Sequence, residues 1–434
     1  MCPRSFLLLI FVAASVGLSL CQGSLLGSLK IDCGAQAAHF RGLMSYWDTD
    51  EKYIKTGDNK AIPSENFNSV TELNTLRYFK KGKKNCYTLP AVPSSSYNVK
   101  ASFYYGNYDE RSKPPIFGLE IEANEWDEVV TSSTVAVYHE AILTARGHDF
   151  SVCLVRLKGK HGHPFINALE ISPLSSNGMY ETMNRDLTWF RIFRYRFGAG
   201  ETVLGYPDPY SRVWESYTPS TGEESVTAGA LFFQDNSNEV PDTVLNQAME
   251  APSLNNSLDL KLDFEKTDDN CLYYMTFYFT SMHSSTWMTG TNSFDIYIGG
   301  VHKATVLTEF SKCTSWTWVD ARMNNTKVLN LEFRPNEQTS FPPAISAMEV
   351  FGANHGKKRN LGLIIGLPIG LVLGLPLLGL FIYFIVLRRK PRPVQARPAP
   401  QLTAHNGAIP GQGFDQEELD ELLHLHFSLS NGQV

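Results

Sequence analysis

A short stretch near the end of a predicted strand combines aromatic rings with hydrogen-bonding groups. The stretch "YYGNYDE" contains Tyr104, Tyr105, Asn107, Tyr108 and Asp109. Aromatic faces stack on the apolar CH faces of sugars, and tyrosine, asparagine and aspartate side chains hydrogen-bond to sugar hydroxyls. We therefore predict a carbohydrate-binding site at these five residues. The alternative is aromatic packing beside a turn, since successive residues of a strand point to opposite faces.

The sequence contains no recognisable set of catalytic residues. Its carboxylates are scattered and suggest no glycosidase pair, and the G-x-S-x-G and HExxH motifs are absent. His161 and His163 lie in a lysine- and glycine-rich loop, which is typical of a solvated turn. No cysteine or histidine spacing matches a zinc site. We therefore predict that the protein is not an enzyme and uses no cofactor and no metal.

A repeat indicates how the chain around these residues is organised. The segments "PFINALEISPL" (164–174) and "PAISAMEVFG" (343–352) match at a constant offset of 179 residues. Further pairs match upstream at offsets between 160 and 177 residues: Phe103 with Phe277, Phe117 with Phe294, and more loosely Tyr46 with Tyr206 and Asp48 with Asp208. Since loops absorb insertions while strands do not, we predict two copies of one domain, 22–176 and 177–352.

Each copy contains short segments that are typical of β-strands. The segments "VKASFYYG", "LYYMTFYF" and "VLNLEFR" are rich in β-branched and aromatic residues, and turn-forming residues separate such segments. A sustained helical period of apolar residues is absent before residue 361. The pattern therefore predicts an all-β region of two β-sandwiches of jelly-roll type.

Five cysteines follow residue 21, and an oxidising compartment would allow disulfides among them. Cys271 and Cys313 lie in the same copy and are the predicted pair, whereas Cys153, inside the apolar segment "SVCLVRL", is predicted to be a buried free thiol. Asn255 and Asn324 each begin an N-x-[ST] sequon, for which we predict glycosylation on exposed loops.

The two ends of the chain predict a secreted and anchored protein. Residues 1–21 combine a basic start with a 15-residue apolar core, as in a secretory signal peptide. A juxtamembrane segment, 353–360, leads to the uncharged run 361–387, whose 27 residues are enough for a transmembrane helix. The tail, 388–434, starts with basic residues that favour the cytoplasmic side near anionic lipid, and we predict it to be mostly disordered. We predict a single-pass type I protein of the plasma membrane, with the endoplasmic reticulum membrane as the alternative.

Glycines recur at every fourth residue of the predicted transmembrane helix, at Gly362, Gly366, Gly370 and Gly374. A ridge of glycines lets a second helix approach closely. This ridge predicts self-association or pairing with a receptor that carries a kinase.

Six ordered segments resemble the plant malectin-like ectodomain, which heads many leucine-rich-repeat receptor kinases. They are "IDCG", "RYFKKGKKNCYTLP", "ASFYYGNYD", "IFGLEIEANEW", "VCLVRL" and "PFINALEISPL". The resemblance covers residues 28–352 and implies two malectin-type β-sandwiches in tandem. It also implies binding of carbohydrate, as in animal malectin, or of secreted peptides and partner proteins, as in related plant receptors.

The chain departs from such receptors in two ways. The eight residues between Gly352 and residue 361 contain no leucine-rich repeat, and 388–434 lacks kinase motifs. We therefore predict a receptor-like protein that binds a cell-wall carbohydrate or a secreted peptide and acts as a co-receptor or decoy beside a kinase-bearing partner. The alternatives are a non-signalling cell-wall tether, an endomembrane glycan-binding protein, and the truncated product of a receptor-kinase gene. A net charge of −6 over 434 residues gives no case for nucleic-acid binding.

Overall fold

The structure of the protein is a computed structural model that describes residues 27–42, 45–174, 178–198, 201–204, 208–217, 224–227, 238–264, 271–281, 292–309, 312–322 and 328–354. All of them belong to one of the two compact units of the chain, residues 1–359. The described residues form an all-β fold, with 26 strands and four short helical segments.

The strands of the first half of this region are β1 (Leu29–Asp32), β2 (His39–Arg41), β3 (Ser45–Thr49), β4 (Asp58–Ala61), β5 (Thr75–Tyr78), β6 (Lys84–Pro90), β7 (Ser96–Phe103), β8 (Ile116–Ile121), β9 (Asn124–Val130), β10 (Val137–Thr144), β11 (Asp149–Val155), β12 (Phe165–Ile166) and β13 (Ala168–Pro173). Three 3₁₀ helices interrupt them at Asp50–Lys52, Ser64–Asn66 and Thr71–Leu73.

The strands of the second half are β14 (Trp189–Arg196), β15 (Val203–Leu204), β16 (Val213–Ser216), β17 (Glu224–Thr227), β18 (Gln247–Glu250), β19 (Leu258–Asp263), β20 (Cys271–Thr280), β21 (Asn292–Ile298), β22 (Val301–Thr308), β23 (Cys313–Arg322), β24 (Val328–Pro335), β25 (Ala344–Ile345) and β26 (Ala347–Asn354). One short α-helix, α1 (Asp242–Leu245), precedes β18.

The strand pairing of the first half recurs in the second half when thirteen is added to each strand number. The order β1-β13-β7-β10 becomes β14-β26-β20-β23, and these two runs are joined in one long sheet through β10 and β14. The opposing sheet β6-β11-β8-β9 becomes β19-β24-β21-β22, and the small sheet β12-β5-β4 becomes β25-β18-β17. The chain therefore contains one strand order twice.

Each half has its own hydrophobic core between its share of the long sheet and its four-stranded sheet. The first core combines Val99 of β7 with Leu119 of β8, and the second combines Phe277 of β20 with Phe333 of β24. Strands in the middle of the long sheet are buried on both faces, and all ten residues of β20 are buried. Such strands read as continuous apolar runs instead of alternating ones.

The strand registers define which residues of the two halves correspond. In the first half Ser102 lies opposite Ala168, and in the second half Tyr278 lies opposite Ala347. The same comparison along the other strand pairs gives further matches. The corresponding pairs used below are Lys30 and Arg194, Trp47 and Trp214, Glu72 and Val244, Ser102 and Tyr278, and Glu170 and Glu349.

These registers correct part of the sequence alignment. The offset of 179 residues holds for β13 and β26, but β7 and β20 are related by 176, so that Phe103 corresponds to Phe279 and not to Phe277. The pairing of Tyr46 with Tyr206 and of Asp48 with Asp208 is also wrong, because Trp47 corresponds to Trp214. A two-residue error in a strand keeps each side chain on the correct face.

The disulfide prediction is wrong. Cys86 and Cys153 lie directly opposite each other on β6 and β11 and form the disulfide, so that Cys153 is not a free thiol. Cys271 begins β20, whereas Cys313 lies opposite Thr280 at the far end of that strand. At about 3.3 Å per residue the two are some 30 Å apart, far beyond the 7 Å limit for a disulfide.

Several predictions concern residues outside the described ones. They are the signal peptide 1–21, the transmembrane run 361–387 with its four glycines, the tail 388–434 and the sequon at Asn324. Within the described ranges no helix has the length and apolar character needed to cross a membrane. Asn255 is described and lies exposed in a turn between β18 and β19.

Candidate functional site

The five residues predicted to bind carbohydrate lie together, but their aromatic rings are buried. Tyr104, Tyr105 and Tyr108 are exposed by only 7%, 0% and 2%, and Tyr105 and Tyr108 pack against each other at 5.6 Å. The Tyr105 hydroxyl donates to Asp109 Oδ1 at 2.5 Å, and Asn107 Oδ1 lies 3.1 Å from the same hydroxyl oxygen. None of the three rings offers an open face to a sugar. In this conformation the stretch is a packed turn, the alternative considered above.

A larger opening lies on the outer face of the long sheet in the first half. It is a cavity of about 720 Å³. Its floor is formed by side chains of β1, β3, β7, β10 and β13, and its far wall by residues Asp208, Pro209 and Ser211 of the second half. Strand alternation explains the floor, because Lys100 and Ser102 are two residues apart on β7 and share a face.

Lys100, a charged side chain of the floor, is paired with Glu170 and also bonds to the wall. Lys100 on β7 lies opposite Glu170 on β13, and their charged atoms are 2.7 Å apart. The Lys100 ammonium also donates to the carbonyl of Ser211 at 2.9 Å. Beside it, Asn98 donates to the carbonyl of Tyr210 at 3.2 Å. These bonds tie the second-half segment to the first-half sheet.

Two residues that line the cavity each have one buried polar atom without a hydrogen-bond partner. The atoms are the indole Nε1 of Trp47, which is 4% exposed, and Oε1 of Glu72, which is 1% exposed. The second oxygen of Glu72 accepts from Arg41 at 3.1 Å. Buried polar groups are nearly always paired with protein or water. Both unpaired atoms are themselves buried, and His39 Nε2, which also lacks a hydrogen-bond partner, lies near Glu72 Oε1.

Charged neighbours surround these two groups. The Lys30 ammonium lies 5.7 Å from the centre of the Trp47 ring, within the range of a cation–π contact. His39 Nε2 is 3.9 Å from Glu72 Oε1, and His39 Nδ1 is 3.8 Å from Asp32 Oδ2. Burial raises the pKa of Asp32 from 3.8 to about 7, against the opposing effect of a hydrogen bond from Thr75.

The corresponding place in the second half is filled by its own residues. Tyr278 stands where the first half has Ser102, and its hydroxyl donates to Glu349 Oε2 at 2.6 Å. Val244 stands where the first half has Glu72, and it packs in one apolar cluster with Tyr278 and Trp214. The Trp214 indole donates to Asp208 Oδ2 at 2.8 Å. The polar groups that are unpaired in the first half are thus either paired or replaced.

The difference comes from one connection of unequal length. Residues 42–44 join β2 to β3, whereas 205–212 join the corresponding strands β15 and β16. Asp208 and Arg212 lie on the longer connection, and Arg212 Nε donates to Asp208 Oδ2 at 2.8 Å beside the Trp214 ring. The longer connection of the second half therefore places Asp208 and Arg212 beside Trp214, where the first half has its cavity.

A buried ion-pair network joins the halves behind the cavity. Arg194 of β14 donates to Glu140 of β10 and to Glu349 of β26, each at 2.6 Å. Burial alone would raise the pKa of both carboxyls, but Arg194 and its cationic neighbours hold each pKa below its usual value. The network serves the junction and does not line the cavity. Among the described residues, no cluster of histidine, cysteine and acidic side chains could hold a metal ion.

Sequence reasoning missed the cavity residues Trp47, Glu72, Lys30 and Lys100. One signal was available in β7, where Asn98, Lys100 and Ser102 are polar at alternate positions of an otherwise apolar strand. Such alternation indicates a face directed away from the core. Glu72 lies in a 3₁₀ turn and gives no comparable pattern.

One strand order used twice, with an open cavity in one of the two copies, defines a class of duplicated β-sandwich domains. The chain belongs to the malectin-like family, whose domain model matches residues 31–353. Among its relatives is the probable LRR receptor-like serine/threonine-protein kinase At1g05700 of Arabidopsis thaliana, which is 29% identical over 341 residues. That alignment covers 76% of this chain but only 38% of the relative.

Solved structures share the fold. The crystal structure of the ANX1 ectodomain from Arabidopsis thaliana superimposes with a TM-score of 0.60 at 17% identity, covering 76% of this chain and 96% of that one. A similar match, with a TM-score of 0.60 at 16% identity and 76% and 96% coverage, is found in the crystal structure of the plant peptide RALF23 in complex with FER and LLG2. The aligned region of this chain therefore has the fold of a malectin-like ectodomain.

Proposed function

We propose that this protein binds an extracellular ligand through its malectin-like ectodomain and that the cavity of the first half is the binding site. The cavity volume of about 720 Å³ carries the proposal. Ligand pockets commonly measure about 300–1,000 Å³ and combine apolar walls with a few placed polar groups. The lining combines apolar residues such as Leu73 with polar residues such as Ser102 and Lys30.

The proposed ligand is a secreted peptide or a cell-wall oligosaccharide. The peptide is supported by the likeness to a structure that contains the plant peptide RALF23 with FER and LLG2. The oligosaccharide is supported by the polar residues of the lining, such as Ser45 and Ser102, because sugar hydroxyls both donate and accept hydrogen bonds. The residues that carry this function are the cavity residues and not the buried tyrosines Tyr104, Tyr105 and Tyr108.

We further propose that the protein is held at the plasma membrane by 361–387 as a single-pass type I protein, with the domain limits given above. In this arrangement it works as a co-receptor or decoy beside a kinase-bearing receptor. The exposed turn at Asn255 supports glycosylation there, as expected for a domain outside the cell.

The test is a binding screen with the full-length protein purified in mild detergent. Panels of cell-wall oligosaccharides and of secreted peptides are applied, and hydrogen exchange is measured with each ligand that binds. We expect a bound ligand to protect β3 and the Thr71–Leu73 turn, which carry Trp47 and Glu72. The proposal is wrong if neither panel contains a ligand, or if protection is confined to strands remote from the cavity.

A further inference from the structure

We propose that β2 is held against the first half by a proton that His39 and Asp32 share, so that this strand is released as the pH rises from acid to neutral. Asp32, His39 and Glu72 are called the His39 cluster below. The release of β2 goes beyond the proposed ligand-binding function and can be measured without any ligand.

The His39 ring lies between two buried carboxyl groups. His39 Nδ1 is 3.8 Å from Asp32 Oδ2, and His39 Nε2 is 3.9 Å from Glu72 Oε1. The buried atoms His39 Nε2 and Glu72 Oε1 each lack a hydrogen-bond partner. Side-chain movements of about 1 Å bring each ring nitrogen within hydrogen-bond distance of the carboxyl oxygen that it faces. Because buried polar atoms are nearly always paired, we expect both contacts to form when hydrogens are available for them.

Hydrogen bonds on both sides of the ring need two hydrogens. A neutral imidazole has one N–H donor and one acceptor nitrogen, and an ionised carboxylate can only accept. When Asp32 and Glu72 are both ionised, a neutral His39 therefore donates to one of them and turns a lone pair towards the other. One further proton, on the second ring nitrogen or on Asp32, satisfies both sides. Coupled groups share such a proton, so the same count holds whichever of the two carries it.

The attachment of β2 depends on this cluster because the strand has few other contacts. It is the edge strand of the long sheet and pairs with β3 through three residue pairs. His39 and Arg41 share its inner face, and Arg41 Nη1 donates to the second oxygen of Glu72 at 3.1 Å. Phe40 points outward and is exposed. Among the described residues, every ion pair of β2 thus involves Asp32 or Glu72.

The second half secures the corresponding strand, β15, without a group that titrates near neutral pH. Val203 of β15 packs against the apolar cluster that contains Val244 and Trp214. Neither valine can gain or lose a proton, and arginine is always charged. The corresponding positions are Val203 for His39, Val244 for Glu72 and Arg196 for Asp32. The fold therefore does not require ionisable groups here, and their presence makes the first half alone sensitive to pH at this strand.

The pKa of Asp32 gives the direction of the effect. Burial raises this pKa from 3.8 to about 7, a hydrogen bond from Thr75 opposes the shift, and the charges of Glu72 and Asp50 add to it. A group with a raised pKa stabilises the attached state fully below its ordinary pKa, and this contribution is lost as the pH rises through the raised value. We therefore expect β2 to be held most firmly near about pH 4 and least firmly near about pH 7.

Two basic side chains lie beside the cluster and do not reverse this direction. Arg41 pairs with Glu72, and the Lys30 ammonium lies 5.7 Å from the centre of the Trp47 ring and 3.8 Å from Glu170. Lysine and arginine side chains ordinarily titrate far above neutral pH. The protons that leave the cluster between acid and neutral pH therefore come from its own members.

Release of β2 also changes the cavity. Arg41 and Gly42, at the end of β2, belong to its lining, and so does Glu72 on the other side of the contact. Separation of β2 from Glu72 therefore widens the cavity on this side. The consequence that pH adjusts access to a binding site rests on the proposed function, whereas the release itself does not.

The experiment supplies the missing hydrogen without a proton from solution. In Asp32→Asn and in Glu72→Gln an amide N–H₂ replaces one carboxylate oxygen, so that a neutral His39 can pair on both sides. Asp58→Asn makes the same change at an exposed position of β4 and is the matched control. Backbone hydrogen exchange of each full-length protein in mild detergent is measured at about pH 5 and about pH 7 and corrected for the intrinsic rate at each pH.

In the unmodified protein and in Asp58→Asn, we expect the amides of β2 and β3 to lose about tenfold or more of their protection between the two pH values. The reason is that one linked proton changes an equilibrium by up to about tenfold per pH unit. The central strand β13 should still be protected at about pH 7 when β2 has exchanged, as local release requires. Asp32→Asn and Glu72→Gln should lose less than about threefold, and either variant decides the question if the other does not fold.

Two results would overturn the inference. Equal protection of β2 at both pH values in the unmodified protein would mean that no proton holds the strand. A loss of protection in Asp32→Asn and Glu72→Gln as large as in Asp58→Asn would assign the pH dependence to groups outside the His39 cluster. Failure of the ligand screen described above would remove the proposed function and leave these exchange results unchanged.

Discussion

The two halves of this protein follow one strand order but use the same outer surface differently. In the second half Tyr278, Val244 and the β15–β16 connection close that surface. In the first half Ser102, Glu72 and a shorter connection leave it open as a cavity. One copy thus fills this surface with its own residues, while the other leaves a cavity there. The comparison teaches that function follows a few side chains and one loop length, not the fold.

The largest expected effect concerns the corresponding basic residues Arg194 and Lys30. Arg194→Met leaves Glu140 and Glu349 buried without their shared cation, and breaking such a pair costs about 3–5 kcal/mol. The corresponding Lys30→Met should cost less than about 1 kcal/mol, because Lys30 is partly exposed and 3.8 Å from Glu170. Urea denaturation measures both. An equal loss of unfolding free energy in the two variants would contradict the expectation that Arg194 contributes more to stability than Lys30.

The next effect concerns the cross-link that only the first half has among the described residues. Cys86 and Cys153 join β6 and β11, and removing such a bridge costs about 2–4 kcal/mol. The double variant Cys86→Ser, Cys153→Ser should therefore unfold at lower denaturant concentration than the unmodified protein. A reducing agent should destabilise the unmodified protein and leave the double variant unchanged. Destabilisation of both by the reducing agent would point to another disulfide.

A smaller effect distinguishes the two corresponding tryptophans. Trp214→Phe removes a buried hydrogen bond to the Asp208 carboxylate, which is worth about 1.5–3 kcal/mol. Trp47→Phe removes an indole hydrogen without a partner, so it loses packing volume as Trp214→Phe does but no hydrogen bond, and it should destabilise the ligand-free protein less than Trp214→Phe does. Denaturation of the two variants side by side provides the measurement. A loss for Trp47→Phe as large as that for Trp214→Phe would mean that its indole is paired in solution.

A further effect is a dependence of the free energy of unfolding on pH that belongs to the first half. Because the folded pKa of Asp32 is raised from 3.8 to about 7, mainly by burial, the folded state holds this proton more tightly than the unfolded state. Its contribution to stability is complete below about pH 4 and is lost as the pH rises towards about 7, by at most about 1.4 kcal/mol per pH unit. Glu72, Asp50 and His39 are its titratable neighbours.

The variant Asp32→Asn imitates the protonated form and serves as the reference for this pH dependence. The difference in unfolding free energy between the unmodified protein and the variant should decrease steadily from pH 4 to pH 7. Thermal unfolding over this range measures it. A difference that stays constant with pH would show that Asp32 does not titrate there.

The sequence predicted the all-β fold and the malectin-like family. The alignment of its clearest repeat was correct along the strands β13 and β26. The match of Glu170 with Glu349 holds because β13 and β26 are central strands that tolerate no insertion. The match of Tyr46 with Tyr206 failed because the longer β15–β16 connection shifts everything before it. Identical residue types inside that connection were mistaken for the repeat.

The candidate site was harder to predict because burial, hydrogen bonding and disulfide formation depend on contacts between residues that are distant in the sequence. Tyr104, Tyr105 and Tyr108 have the composition of a sugar site, but both faces of their segment are covered. Cys86 and Cys153 are 67 residues apart and meet only through the register of β6 and β11. Glu72 and Trp47 become notable only once their residues are seen to line one cavity.

The bonds from Lys100 to the Ser211 carbonyl and from Asn98 to the Tyr210 carbonyl make the cavity a joint product of both copies. Either copy produced alone would lack the part of the cavity wall that the other copy supplies. A sensor engineered from this protein would therefore need both copies. Any change in the angle between the two copies would change the shape of the cavity.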